Sequence, residues 1–181
     1  MEVFTIPLGI RPTKRLAKLR VSVLNTRVTL EARYVHTNLI ARDWKRLAAF
    51  YTDVFGCVPV PPERNLNGPW LDDATGLSNA RLEGVHLRLP GYGDRGPTLE
   101  IFSYRTLDEA SPSPANRRGY GHLAFAVDDV SKALEVVLNH GGSRLGLVVE
   151  HEVPLTGRLT FTYCRDPESN VIELQNWRAV P

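Results

Sequence analysis

The stretch Arg118-Gly-Tyr-Gly-His-Leu-Ala-Phe-Ala-Val-Asp-Asp-Val130 places His122 at the head of an alternating run and ends in two aspartates before a helical pattern. An earlier stretch, Tyr34-Val-His-Thr-Asn-Leu-Ile-Ala-Arg-Asp-Trp44, has the same layout. At one constant offset, His36 aligns with His122, Asp43 with Asp129, and Gly56 with Gly142. Alternation predicts a strand, the aspartate predicts a helix cap, and the glycine predicts the end of the helix. The sequence therefore predicts the same strand–helix unit twice.

The segments that follow each unit predict three further strands. In the first half we expect a helix over 44–55, a short strand and a proline-bearing loop through Asn79, and strands over 82–89 and 98–104. In the second half we expect a helix over 130–140 and strands over 143–152, 159–164 and 171–177. Each half is then βαβββ, and the predicted fold class is α+β.

The predicted organisation is one domain made of two modules behind a distinct N-terminal segment. The domain covers 34–177, with module one over 34–104, a polar, proline-bearing linker over 105–119, and module two over 120–177. Residues 1–33 are basic and contain no acid between Glu2 and Glu31. Such a segment is typical of a transit peptide, a disordered arm, or a dispensable tail added by an upstream start codon, and these alternatives stay open.

Composition excludes several classes of function. The chain has 181 residues and a formal net charge of +2, which predicts neither a nucleic-acid partner nor a membrane-surface partner. No apolar run reaches the roughly 18 residues of a spanning helix. The two cysteines, Cys57 and Cys164, have no zinc-like neighbours and are predicted to be buried thiols. We expect a protein of a reducing compartment, the cytoplasm.

Four polar side chains interrupt the apolar pattern of the predicted strands. His36 and His122 begin the first strand of each module, and Glu100 and Glu173 lie in the last strand of each. Burying a carboxylate in a strand is costly unless a partner compensates it. Two imidazoles and two carboxylates suit one divalent ion, namely zinc, nickel, cobalt, manganese or ferrous iron. A lone strand histidine is more often a core or surface residue, and a lone strand glutamate often faces solvent. The duplication favours a metal site.

Four phrases carry a resemblance to a known superfamily. They are His36-Thr-Asn-Leu, Phe50-Tyr-Thr-Asp-Val-Phe-Gly56, Gly119-Tyr-Gly-His-Leu-Ala-Phe-Ala-Val-Asp128 and Arg165-Asp-Pro-Glu-Ser-Asn-Val-Ile-Glu-Leu174. Over about 34–177 the chain resembles the vicinal oxygen chelate superfamily, which includes glyoxalase I, extradiol dioxygenases and bleomycin-resistance proteins. The resemblance implies paired βαβββ modules whose curled mixed sheet forms a metal-lined cleft, often in a homodimer.

The resemblance also implies a ligand set. The metal quartet of bacterial glyoxalase I is similar to His36, Glu100, His122 and Glu173 of this chain. That enzyme has an arginine and an asparagine that contact glutathione where this chain has Ile40 and Tyr104. The resemblance therefore implies a glyoxalase I-like lyase or isomerase whose substrate need not be linked to glutathione.

The expected chemistry is proton abstraction from a small substrate with vicinal oxygens, through an enediolate. We expect Glu173 to be the base, with Glu100 as the alternate. Face alternation predicts substrate contacts from His86, Arg88 and Tyr104, and Trp70 adds one from the loop. One alternative is a ferrous extradiol-type dioxygenase using His36, His122 and Glu173. The other is a non-catalytic drug-binding protein, although such relatives generally lack the metal ligands.

Overall fold

A computed structural model describes residues 31–108 and 114–179 of the chain. The described residues from Tyr34 onward form one compact unit. The expectations for residues 1–30, and for the centre of the predicted linker, lie outside the described residues.

Module one forms a four-stranded mixed sheet. Its elements are β1 (His36–Ile40), α1 (Trp44–Phe55), β2 (Val58–Asn67), α2 (Pro69–Thr75), β3 (Arg81–Arg88), a 3₁₀ turn (Gly93–Arg95) and β4 (Thr98–Tyr104). The strand order is β1-β4-β3-β2, and β1 runs parallel to β4 while the other neighbours are antiparallel. The first strand of the module is thus an edge strand that lies beside the last.

Module two repeats this arrangement in a second sheet. Its elements are β5 (Leu123–Ala126), α3 (Val130–Asn139), β6 (Ser143–Arg144), β7 (Val149–Val153), β8 (Gly157–Arg165) and β9 (Val171–Arg178). The order is β5-β9-β8, with both β6 and β7 paired to β8, and β5 runs parallel to β9. The predicted α+β class is confirmed, with one mixed sheet from each half. Each half departs from the predicted βαβββ order by one element, the helix α2 in module one and an additional strand in module two.

The same capping chemistry sets the start of both long helices. The Asp43 carboxylate accepts a 3.0 Å hydrogen bond from the amide of Arg46, and Asp129 accepts one of 3.0 Å from Lys132. These caps satisfy amides that have no partner inside a helix. Gly56 ends α1 in the left-handed conformation, with φ of 68°. The predicted bounds of α1 are those observed, and α3 ends one residue earlier than predicted.

The prediction of a short strand and a loop before Asn79 is wrong. β2 is a ten-residue strand with a register shift between Val60 and Arg64, and α2 is a helix. Prolines are tolerated in β2 because it pairs on one side only. Pro69 begins α2, where a missing amide hydrogen costs nothing. The Asp72 carboxylate then accepts the amides of Asn79 and Ala80 at 2.9 and 2.7 Å.

The single strand predicted over 143–152 is also wrong, because the chain forms two strands there. The amides of Leu145 and Gly146 both donate to the carbonyl of Tyr163, at 3.2 and 3.0 Å. Two donors on one carbonyl break the regular ladder, and β6 ends before this point.

The two modules share one hydrophobic core. Residues of α1, such as Leu47 and Tyr51, belong to the same buried cluster as Leu134 of α3 and Ile172 of β9. The rings of Phe55 and Phe125 stack with centroids 3.9 Å apart. The hydroxyl of Tyr51 donates a 2.9 Å hydrogen bond to Asp166, in the turn before β9. The modules are therefore held together by apolar packing and by a buried polar link.

We expect the substitution Tyr51→Phe to lower the free energy of unfolding by about 1–3 kcal/mol. It removes the hydroxyl that donates to the buried Asp166 carboxylate. Urea titration followed by circular dichroism measures the change. Tyr92→Phe, at a tyrosine that is 65% exposed, is the matched control. Equal stability of the two variants would contradict a contribution from this link.

Candidate functional site

Glu100 lies at the centre of the first half of the site. It occupies the middle of β4 between Leu99 and Ile101, and only 9% of its surface is exposed. One carboxylate oxygen, Oε2, is 3.4 Å from Nε2 of His36 on β1. The other, Oε1, is 3.1 Å from Nε2 of His86 on β3. A buried carboxylate is thus held between imidazoles from the strands on either side.

Glu173 occupies the corresponding place in the second half. Its Oε2 atom is 2.9 Å from Nε2 of His122, and its side chain is 14% exposed. Tyr163, on β8, lies directly opposite Glu173 in the strand ladder. The rings of His122 and Tyr163 lie with their centroids 5.1 Å apart. An imidazole therefore contacts this carboxylate, and a phenol faces it from the neighbouring strand.

The strand registers explain why both halves have the same geometry. His36 lies opposite Thr98, two residues before Glu100, in the parallel pair β1–β4. The β5–β9 register, continued by one residue, puts His122 opposite Val171, two residues before Glu173. Parallel neighbours at this diagonal offset point to the same face of a sheet. The predicted histidine–glutamate pairs both form.

The four predicted ligands do not form a single cluster within one chain. Among the described residues, no group of three or more histidine, cysteine, aspartate or glutamate side chains has an arrangement that could hold a metal ion. One chain holds two histidine–glutamate pairs in different sheets, and the expected meeting of the four side chains around one ion stays a prediction. The assignment of these residues as metal ligands stays a prediction.

The predicted substrate-binding residues lie in different surroundings. His86 contacts Glu100, as described above, and Arg88 forms a 3.0 Å ion pair with Asp94. Tyr104 packs against a small buried cluster that includes Leu82 and Phe102. Trp70 lies at the start of α2 and is 56% exposed. Their contact with a substrate stays a prediction.

Sequence reasoning did not identify Tyr163. Its residue type is ordinary in a strand, and its position becomes informative only through the register, which places it directly opposite Glu173. His86 lies directly opposite Glu100 in the same way. Aligning the two modules on their glutamates does not reveal this equivalence, because the chain from His86 to Glu100 is four residues longer than the chain from Tyr163 to Glu173.

Burial shifts the pKa of His86 and of Tyr163, the two side chains that face the glutamates from the neighbouring strands. The pKa of His86 is lowered, first by burial and then by the positive charges of Arg64 and His36, although Glu100 opposes this. The pKa of Tyr163 is raised, first by burial and then by the negative charge of Glu173 and the hydrogen bond to it. His86 is therefore a neutral imidazole near neutral pH, and Tyr163 keeps its proton.

The two thiols are unsuited to nucleophilic chemistry. Cys57 and Cys164 are free and buried, which confirms the expectation from the sequence. Burial raises the pKa of Cys57 to about 11 and that of Cys164 to about 12, with Asp166 adding to the latter. A thiol is a nucleophile only as the thiolate, so both are inert at physiological pH.

We expect neither thiol to react with Ellman's reagent in the folded protein at mildly alkaline pH, because both remain protonated and shielded. Unfolding in guanidinium chloride should release both for rapid reaction, which absorbance records. Rapid labelling of one thiol in the folded protein would contradict this description.

None of the helices in residues 31–108 and 114–179 combines the length and apolar character needed to cross a membrane.

The family model described as "Glyoxalase/Bleomycin resistance protein/Dioxygenase superfamily" matches residues 33–174, most of the chain. The chain belongs to this superfamily. This confirms the resemblance drawn from the sequence phrases around the two histidines.

Similar proteins of known sequence and structure agree with this membership. This chain is 28% identical over 143 residues to a lactoylglutathione lyase of Salmonella typhimurium, and the match covers 78% of this chain and 90% of that one. It is 26% identical over 151 residues to a probable lactoylglutathione lyase of Vibrio cholerae, covering 81% and 93%.

Solved structures support the fold. A glyoxalase family protein from Bacillus cereus matches with a TM-score of 0.69 at 22% identity, over 84% of this chain and 97% of that one. A glyoxalase I variant from Zea mays matches with a TM-score of 0.54 at 23% identity, over 82% of this chain and 45% of that one. Together with superfamily membership, the sequence similarity indicates a glyoxalase-like function in a broad sense.

Proposed function

We propose that this protein is a divalent-metal-dependent lyase or isomerase of the glyoxalase I type, acting on a small substrate with vicinal oxygens. One observation carries the proposal: each module holds a histidine–glutamate pair at the same register position, with the glutamate largely buried. Lactoylglutathione lyases are among the proteins that the chain resembles.

The spacing of the donor atoms fits a metal ion. Two ligand atoms bound at about 2.1 Å and at right angles lie about 3.0 Å apart. The observed separations of imidazole nitrogen and carboxylate oxygen are 3.4 and 2.9 Å. Two such pairs would supply two nitrogen and two oxygen donors, a set that suits zinc, nickel, cobalt, manganese or ferrous iron.

The proposed site needs a second copy of the chain. Within one chain, the crevice beside His122 has a volume of only about 100 Å³, whereas small-molecule sites hold roughly 300–1,000 Å³. A groove of about 500 Å³ runs along β5, which pairs on one side only. An unpaired strand edge favours association with another chain. We propose a homodimer in which His36 and Glu100 of one copy face His122 and Glu173 of the other.

In this dimer the ion would polarise the substrate carbonyl and so acidify the neighbouring C–H bond. Glu173 would accept that proton, with Glu100 as the alternate base. His86 contacts Glu100, and Tyr163 lies directly opposite Glu173. Ile40 and Tyr104, in place of arginine and asparagine, favour a substrate other than the glutathione hemithioacetal.

We expect the wild-type protein to bind one equivalent of divalent metal per chain. His36→Ala and His122→Ala should each lose it, because each removes a ligand from every site. An equimolar mixture, dissociated and reassociated, should regain about a quarter of the wild-type stoichiometry, since half the dimers are mixed and each has one intact site. Elemental analysis after gel filtration measures this.

His151→Ala is the matched control, because this histidine lies exposed on β7, away from both pairs. It should bind metal as the wild type does. Wild-type binding well below one equivalent would contradict the metal site. Wild-type binding without recovery in the mixture would contradict the sharing of sites between chains.

We expect the metal-loaded protein to turn over a thiol adduct of methylglyoxal under nitrogen, because proton transfer consumes no oxygen. Chelation followed by readdition of metal should abolish and restore the rate, measured by thioester absorbance. Oxygen uptake with a catechol, together with no anaerobic turnover of any adduct or acyl-CoA thioester, would favour the dioxygenase alternative instead.

A further inference from the structure

Besides the histidine and the glutamate, the two modules have a third equivalent position, which lies directly across the strand ladder from the glutamate. His86 faces Glu100 between β3 and β4, and Tyr163 faces Glu173 between β8 and β9. Both pairs are antiparallel neighbours, whose side chains stand closest in a sheet. Each half therefore contains the same triangle of one histidine, one glutamate and one cross-strand partner.

In module one, the cross-strand residue and the histidine of the pair approach different oxygens of the Glu100 carboxylate. His86 approaches Oε1 of Glu100, whereas His36 approaches Oε2. A carboxylate held at one oxygen has its plane and rotamer fixed, and the other oxygen stays directed at its partner. Such outer hydrogen bonds orient metal ligands, and their loss typically weakens metal binding about 10–100-fold.

Both partners can donate a hydrogen bond although their chemistry differs. The imidazole of His86 carries an N–H in either protonation state, and the phenol of Tyr163 carries one O–H. The ring of Tyr163 also packs against His122, so Tyr163 lies beside both members of its pair. In module one the rings of His36 and His86 lie 6.3 Å apart between centroids. The two residues thus hold equivalent places around their carboxylates.

We propose that His86 and Tyr163 are equivalent positioning residues, each of which fixes one glutamate of the site by a hydrogen bond from the neighbouring strand. The inference rests on the proposed metal site. It gives His86 a role in addition to the predicted substrate contact, and it gives Tyr163 a role.

The repeat itself supplies the matched substitutions. His86→Tyr and Tyr163→His place at each position the donor that the other module uses, whereas His86→Phe and Tyr163→Phe keep an aromatic ring and remove the donor. The metal dissociation constant is measured by competition with a chromophoric chelator, and the cobalt(II) spectrum reports the coordination. Circular dichroism and thermal unfolding confirm that each variant is folded.

We expect both Phe variants to bind metal about 10–100-fold more weakly with an altered cobalt(II) spectrum, and both exchanged variants to bind as the wild type does. Tyr120→Phe, at a tyrosine that is 68% exposed and two residues before His122, should have no effect. If His86→Phe does not fold, the isosteric Tyr163→Phe decides.

Three results would overturn the inference. Phe variants that bind metal as tightly as the wild type would remove the positioning role and leave the proposed metal site intact. Exchanged variants as weak as the Phe variants would remove the equivalence of the two positions. A wild-type protein that binds no metal would remove both the inference and the proposed function.

Discussion

The buried carboxylate in the last strand of each module is the constraint on which the site depends. Glu100 lies between two fully buried aliphatic residues, and Glu173 lies between Ile172 and Leu174, which are also fully buried. A carboxylate in such a place must have partners, because desolvation of an unpaired charge costs several kcal/mol. In both modules the neighbouring residues come from the segments on either side, a histidine on one side and a side chain with a proton to donate, His86 or Tyr163, on the other. The sheet order, with the first strand beside the last, is what makes this possible.

The duplication gives each chain two histidine–glutamate pairs, which we propose to be half-sites, in two different sheets. His36 lies on β1 and His122 directly precedes β5, and both strands are edge strands of their own sheets. The shared hydrophobic core packs helices α1 and α3 against the two sheets. Tyr51 belongs to this core, and its hydroxyl donates a hydrogen bond to Asp166. The histidine of each pair therefore lies at a sheet edge with an unpaired side, while the glutamate lies on the interior strand next to it. The two pairs together have the side chains of a metal centre. Within the described residues of one chain, no three possible ligand side chains come together to form one.

Much of the fold could be predicted from sequence because helix ends depend on a few adjacent residues. Features that depend on how distant strands pair could not be predicted in this way. Asp43 and Gly56 mark the ends of α1 because capping depends on a few adjacent residues. The helix at Pro69 was missed because proline breaks a helix interior but is accepted in its first turn. The pairing of each histidine with a glutamate followed from the repeat. The role of Tyr163 did not, because cross-strand register depends on the whole sheet and not on neighbouring residues.

X-ray absorption at the metal edge tests the central claim most directly, because scattering from imidazole rings counts histidine ligands at a bound ion. For the zinc-loaded or cobalt-loaded wild-type protein we predict two imidazoles, with the remaining ligands being oxygen. His122→Ala, which is expected to lose the metal, should give no metal-edge signal after gel filtration. A wild-type spectrum with oxygen ligands alone, or with sulfur, would contradict the claim that one pair from each module meets around a single ion.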